Sequence, residues 1–73
     1  MTPDDHASDA TVLSSLLSQV DDLVARTEEL ASRYAPTSDS AVAEVLYEAE
    51  RGLVAARRAL RRAAGDLARR TRR

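Results

Sequence analysis

The stretch that decides the fold runs from Ser40 to Leu67 and reads SAVAEVLYEAERGLVAARRALRRAAGDL. Apolar residues recur through it at alternating spacings of four and three, the repeat of a helix that packs lengthwise against another helix. It therefore predicts one long helix with an apolar seam, which is typical of an assembly element. The seam consists of four leucines seven residues apart, Leu46, Leu53, Leu60 and Leu67, alternating with Val42, Ala49, Ala56 and Ala63.

A second amphipathic stretch runs from Val12 to Tyr34. Its apolar face is three heptad positions wide, which is broader than a two-stranded coiled coil requires. Acidic pairs such as Glu28-Glu29 fall on the opposite, solvated side. The stretch predicts a helix whose partner-binding face is formed by Leu13, Leu16, Leu17, Val20, Leu23 and Leu30, widened by Val24 and Ala31.

The break between the two stretches lies at Pro36. Proline disfavours the α conformation in the residue before it, so the first helix should end at or before Ala35. Ser38, Asp39 or Ser40 can cap the second helix. A connection this short makes the two helices antiparallel neighbours.

The start of the first helix is less well defined. Thr2 could cap a helix that begins at Pro3, but the apolar pattern starts only at Val12, so Ser8 or Asp9 is an equally good cap. We predict an all-α single domain, an antiparallel two-helix hairpin. Its parts are a frayed acidic N-terminus at 1–8, a first helix at 9–35, a turn at 36–39, a second helix at 40–70 and a basic tail at 71–73.

A lone hairpin of 73 residues buries one side of each apolar stripe. A single interface of this size supplies only about 3–5 kcal/mol. Two hairpins joined as a four-helix bundle would bury both stripes. We therefore expect a homodimer, with another helical protein as the second possibility.

Charge is divided unevenly along the chain. Residues 1–50 hold eleven acids and two arginines, a net charge of −9, whereas residues 51–73 hold nine arginines and one acid, a net charge of +8. A hairpin brings these segments together, with residue i near residue 73 − i. This register places Asp21 and Asp22 near Arg51, and such exposed pairs contribute only about 0.2–1 kcal/mol each.

The arginines of the second half permit two interpretations. They could be a solvated face, or they could bind an anionic partner such as the phosphate backbone of a nucleic acid. The acidic pI of about 5.7 and the lack of interleaved aromatic residues weigh against nucleic acid, which stays the alternative hypothesis. The candidate anionic-partner surface consists of Arg57, Arg58, Arg61, Arg62, Arg69 and Arg70. Tyr47 and Val54 are expected on the outward side of the second helix, where they could form a second contact patch.

No residue pattern indicates catalysis. The single histidine, His6, lacks convergent metal ligands, no serine is near a base, and there is no cysteine or glycine-rich phosphate loop. We therefore expect a protein that is not an enzyme, with no cofactor, no metal and no small-molecule substrate. The N-terminus lacks a signal-peptide pattern and the apolar runs are too short to span a membrane, which predicts a cytoplasmic protein. The absence of Lys, Ile, Asn and Phe is typical of a GC-rich bacterial genome.

Overall fold

The computed structural model describes the backbone of residues 3–71 and the side chains of residues 5–70. It is an antiparallel hairpin of two helices, α1 (Pro3–Tyr34) and α2 (Ser40–Thr71), each 32 residues long. Across the described range there are no strands, and the molecule is a rod measuring 56 × 15 × 14 Å. The predicted all-α hairpin is confirmed, whereas the four-helix bundle stays a prediction.

Helix α1 starts six residues before its predicted start at residue 9. Residues 3–8 are helical because the fixed φ angle of Pro3 suits the first turn of a helix and the negative charge of Asp5 suits its N-terminal end. The alternative cap Thr2 lies outside the described residues. So do Arg72 and Arg73 of the predicted basic tail, since the described part of α2 ends at Thr71.

Thr37 organises the turn between the helices. Its hydroxyl donates a hydrogen bond to the carbonyl oxygen of Tyr34 at 2.6 Å and accepts one from the backbone N–H of Asp39 at 3.1 Å. The carbonyl of Asp39, the residue just before α2, accepts the N–H of Val42 at 2.9 Å. One side chain therefore links the last turn of α1 to the cap position of α2.

The core of the hairpin is small. Among residues 5–70, the buried side chains are Val24, Ala31 and Ala43, with exposed fractions of 9%, 0% and 2%. The radius of gyration of 16.6 Å exceeds the value of about 11 Å expected for a compact domain of this length. Each helix therefore keeps much of its surface in contact with solvent.

The face that α2 turns toward α1 differs from the predicted seam. Ala43 is buried and Arg57 reaches across to Asp21, so the row that contains them faces α1. Tyr47 and Val54 lie on this face and are half-buried, so their predicted outward position is wrong. The predicted small seam positions are exposed instead: Val42, Ala49, Ala56 and Ala63.

The turn explains this rotation of α2. Ala31 and Ala43 each lie four residues from the connection at 35–39, and they are the most buried side chains described. Because both side chains are single methyl groups, the helices can approach closely just beyond the turn. Their approach, with the short connection held by Thr37, selects the side of α2 that faces inward.

In helix α1, too, the buried side differs from the predicted face. Its more buried side chains follow a 4-3 spacing, whereas Leu16 and Leu23 are exposed at 39% and 43%. The predicted face is therefore divided between an inner row and an outer edge. The inner row is Leu13, Leu17, Val20, Val24, Thr27 and Ala31.

Candidate helix-binding face

One side of the rod carries most of the leucines. We call Leu46, Leu53, Leu60 and Leu67 the leucine row; all four are half-buried at the edge of the contact with α1. Leu23 and Leu30 of α1 line a shallow groove together with Leu46, so the exposed edge of α1 and the leucine row lie on the same side. Arg26, Glu29 and Arg33 also line this groove. The structure therefore brings predicted seam leucines of both helices onto one partly exposed face.

A second row extends this face around α2. We call it the outer stripe. Its members are separated by three and four residues in turn, and all are exposed and uncharged. Val42 and Val45 are the largest of them, with exposed fractions of 45% and 65%. The outer stripe consists of Val42, Val45, Ala49, Gly52, Ala56, Ala59 and Ala63.

Gly52 lies in the middle of the outer stripe. A Cβ atom placed there would meet no atom within 4 Å, so the packing of the hairpin does not require a glycine. A glycine in the middle of a helix costs about 1 kcal/mol relative to alanine. The missing side chain therefore leaves room for an approaching backbone that is not part of this hairpin.

The inner face of α2, by contrast, carries charged residues. Nη1 of Arg57 donates a hydrogen bond to Oδ1 of Asp21 at 3.0 Å. However, Nε of Arg57 and Oε2 of Glu50 are buried without a hydrogen-bond partner. A buried polar atom without a partner costs about 1–3 kcal/mol. In α2, two charged residues therefore face α1, while an uninterrupted apolar surface faces solvent.

The arginines of α2 do not form one continuous surface. Arg57 is bound to Asp21, and Arg69 is bound to Asp66 within α2. Arg58, Arg61 and Arg62 are exposed, and no acidic side chain in the described part of the chain pairs with them. Arg70 is also exposed. The predicted anionic-partner surface is thus reduced at two of its six positions by internal ion pairs.

The predicted charge register is also corrected. Asp21 pairs with Arg57 and not with Arg51, and Asp22 pairs with Arg26 inside α1 at 3.6 Å. The residue numbers of Asp21 and Arg57 sum to 78, whereas the predicted register sums to 73. Asp21 therefore lies opposite a residue six positions further along α2 than the predicted Arg51.

Groups suited to catalysis are not brought together. His6 is half-buried on α1, and residues 5–70 contain no cluster of three or more His, Cys, Asp or Glu side chains that could hold a metal ion. Neither described helix combines the length and apolar character needed to cross a bilayer. The structure assigns no chemical role to the serines.

The comparisons with known proteins give no further assignment: the chain matches no protein-family model, no curated protein and no solved structure.

Proposed function

We propose that this protein is a non-catalytic helical protein–protein interaction module that binds another helix through the leucine row and the outer stripe. One observation carries the proposal. Glu50 and Arg57 face α1, while the longest charge-free surface of α2, from Val42 to Ala63, is exposed. This arrangement adds little stability to a free hairpin, because its most apolar surface stays in water. A hairpin bound to a helical partner would bury that surface.

The energetics favour an apolar partner. Burying a fully exposed Leu or Val side chain stabilises a complex by about 1.5–3 kcal/mol, so a side chain that is half-exposed contributes roughly half as much. Leu16, Leu23, Val42 and Val45 are exposed at 39–65%, and the leucine row adds further area. The sum is several kcal/mol, which is the scale needed to offset the cost of association.

Site-specific photo-crosslinking in the producing cell would test the proposal. We expect a photoreactive residue at Ala49, on the outer stripe, to form a covalent protein adduct. The same residue at Arg58, on the opposite side of α2, is the matched control and should form none. An adduct of any mass supports the module. Equal labelling at both positions, or no adduct at Ala49, would contradict it.

Nucleic-acid binding is the second candidate. The exposure of Arg58, Arg61 and Arg62 supports it, because these guanidinium groups are free to contact phosphates. Titration of duplex DNA and RNA over a salt series separates the candidates. Affinity that falls steeply with salt, and is lost when these three arginines are changed to alanine, would favour nucleic acid. The interaction module predicts no such dependence.

A further inference from the structure

We propose that the partner of the helix-binding face is a second copy of this chain, with the two α2 helices packed antiparallel along their outer stripes. The proposal rests on the proposed function and adds the identity and orientation of the partner. Three features support it: the exposed area, the distribution of charge beside the stripe, and the position of Gly52.

The rod exposes enough surface to bury a standard interface against a second copy. The chain exposes 5442 Å². A folded monomer of 7.9 kDa is expected to expose about 4,400 Å². The excess of roughly 1,000 Å² is close to the area of about 800 Å² that each partner buries in a standard protein–protein interface.

The charges beside the outer stripe favour an antiparallel pair of identical helices. Glu48 and Arg62 are exposed in the row that borders the stripe, and Ala55 lies midway between them. A two-fold axis beside Ala55 places Glu48 of each copy next to Arg62 of the other, which creates two ion pairs. A parallel pair would instead place Glu48 beside Glu48 and Arg62 beside Arg62, and these like-charged pairs are unfavourable.

The same axis gives Gly52 a partner. In this register, residue i of one copy lies level with residue 110 − i of the other, so Gly52 lies within one residue of the level of Ala59 of the other copy. Small residues at the centre of the stripe let the two backbones approach closely. The leucine rows then border this contact on the side of α2 that is nearer to α1.

The absence of cysteine from the chain makes disulfide trapping a clean test. Two cysteines form a disulfide only when their Cα atoms lie about 4–7 Å apart. We expect Ala56→Cys, beside the two-fold axis, to give a disulfide-linked dimer on mild oxidation. Arg58→Cys, two residues further and on the other side of α2, is the matched control and should stay monomeric on a denaturing gel.

Orientation is tested with two more positions. In the antiparallel pair, Ala49 lies about 20 Å along the axis from its own counterpart but opposite the region of Ala63. Ala49→Cys and Ala63→Cys should therefore fail to crosslink alone and should crosslink when the two proteins are mixed. Self-crosslinking of Ala49→Cys would show a parallel pair and overturn the proposal.

Charge reversal provides an independent readout. We expect Glu48→Arg alone to weaken the dimer roughly 3- to 30-fold in sedimentation equilibrium, because it removes two favourable pairs and creates two repulsive ones. The double variant Glu48→Arg/Arg62→Glu should recover most of the affinity. Circular dichroism of each variant confirms that the helices are intact.

The outcomes separate this inference from the proposed function. If the protein is a monomer, Ala56→Cys forms no disulfide and the photoreactive residue at Ala49 labels another protein, the homodimer proposal is wrong. The proposed interaction module is then still supported. A dimer that crosslinks through Arg58→Cys overturns both. An Ala56 disulfide with Ala49–Ala63 mixed crosslinks supports both.

Discussion

Replacing Glu50 with leucine should stabilise the hairpin. Oε2 of Glu50 is buried against α1 without a hydrogen-bond partner, in the same face as Ala43 and Arg57. The substitution removes an unsatisfied group that costs about 1–3 kcal/mol and adds apolar contact with α1. We expect the free energy of unfolding to rise by about 1–3 kcal/mol, which raises Tm by roughly 4–8 °C per kcal/mol in a domain of this size.

Urea denaturation followed by circular dichroism measures this change. All proteins should be compared at one concentration, since self-association couples stability to protomer concentration. The matched control is Glu44→Leu, which changes an exposed acidic residue of the same helix and should leave stability within about 0.5 kcal/mol of the wild type. If Glu50→Leu were no more stable than Glu44→Leu, the argument that α2 turns a charged row inward would be refuted.

Three other substitutions test the remaining contacts by the same denaturation assay. Asp21→Asn should cost about 0.5 kcal/mol and lose its effect at high salt, whereas Asp22→Asn, which removes an exposed pair within α1, should change little. Thr37→Val removes both hydrogen bonds of the turn hydroxyl and should cost about 0.5–1.5 kcal/mol; an unchanged stability would mean that the turn does not depend on them. Ala31→Leu should cost about 1–3 kcal/mol by overpacking a site with 0% exposure, and the exposed control Ala25→Leu should be tolerated.

The sequence predicted the helices and the turn because their signals are local. Pro36 ends one helical pattern and the heptad spacing resumes a few residues later, so the connection at 35–39 and the hairpin topology follow directly. The early start of α1 was missed, since the residues before Val12 lack an apolar repeat. Pro3 and the acidic first turn were sufficient to begin the helix there.

The sequence could not determine which side of α2 faces α1. The Leu/Ala repeat is the stronger pattern, while the row that faces inward contains Glu50 and Arg57. A one-dimensional repeat reveals an apolar side but does not say whether α1 or another chain covers it. That choice shows only in the burial of Ala31 and Ala43 beside the turn, which no spacing rule encodes.

The side of α2 that faces α1 also decides which residues of the candidate site are exposed. The sequence grouped the leucines of both helices as a partner-binding set, and the structure places Leu23, Leu30 and Leu46 around one groove. Their role in binding a partner stays a prediction. Of the outer stripe, the sequence singled out only the seam positions Val42, Ala49, Ala56 and Ala63. The sequence did not reveal that Arg57 pairs with Asp21 across the hairpin, and the arginine surface itself stays a prediction.

The position of the three buried residues means that the two helices are held together most firmly near the turn. Val24, Ala31 and Ala43 all lie within about 17 Å of the turn, in a molecule 56 Å long. In the described parts further from the turn, residues 5–23 and 44–70, the least exposed side chains are half-buried, so opening there breaks less packing than opening at the turn. Amide hydrogen exchange should accordingly be slowest near the turn and become faster toward the tips, unless another molecule holds the tips closed.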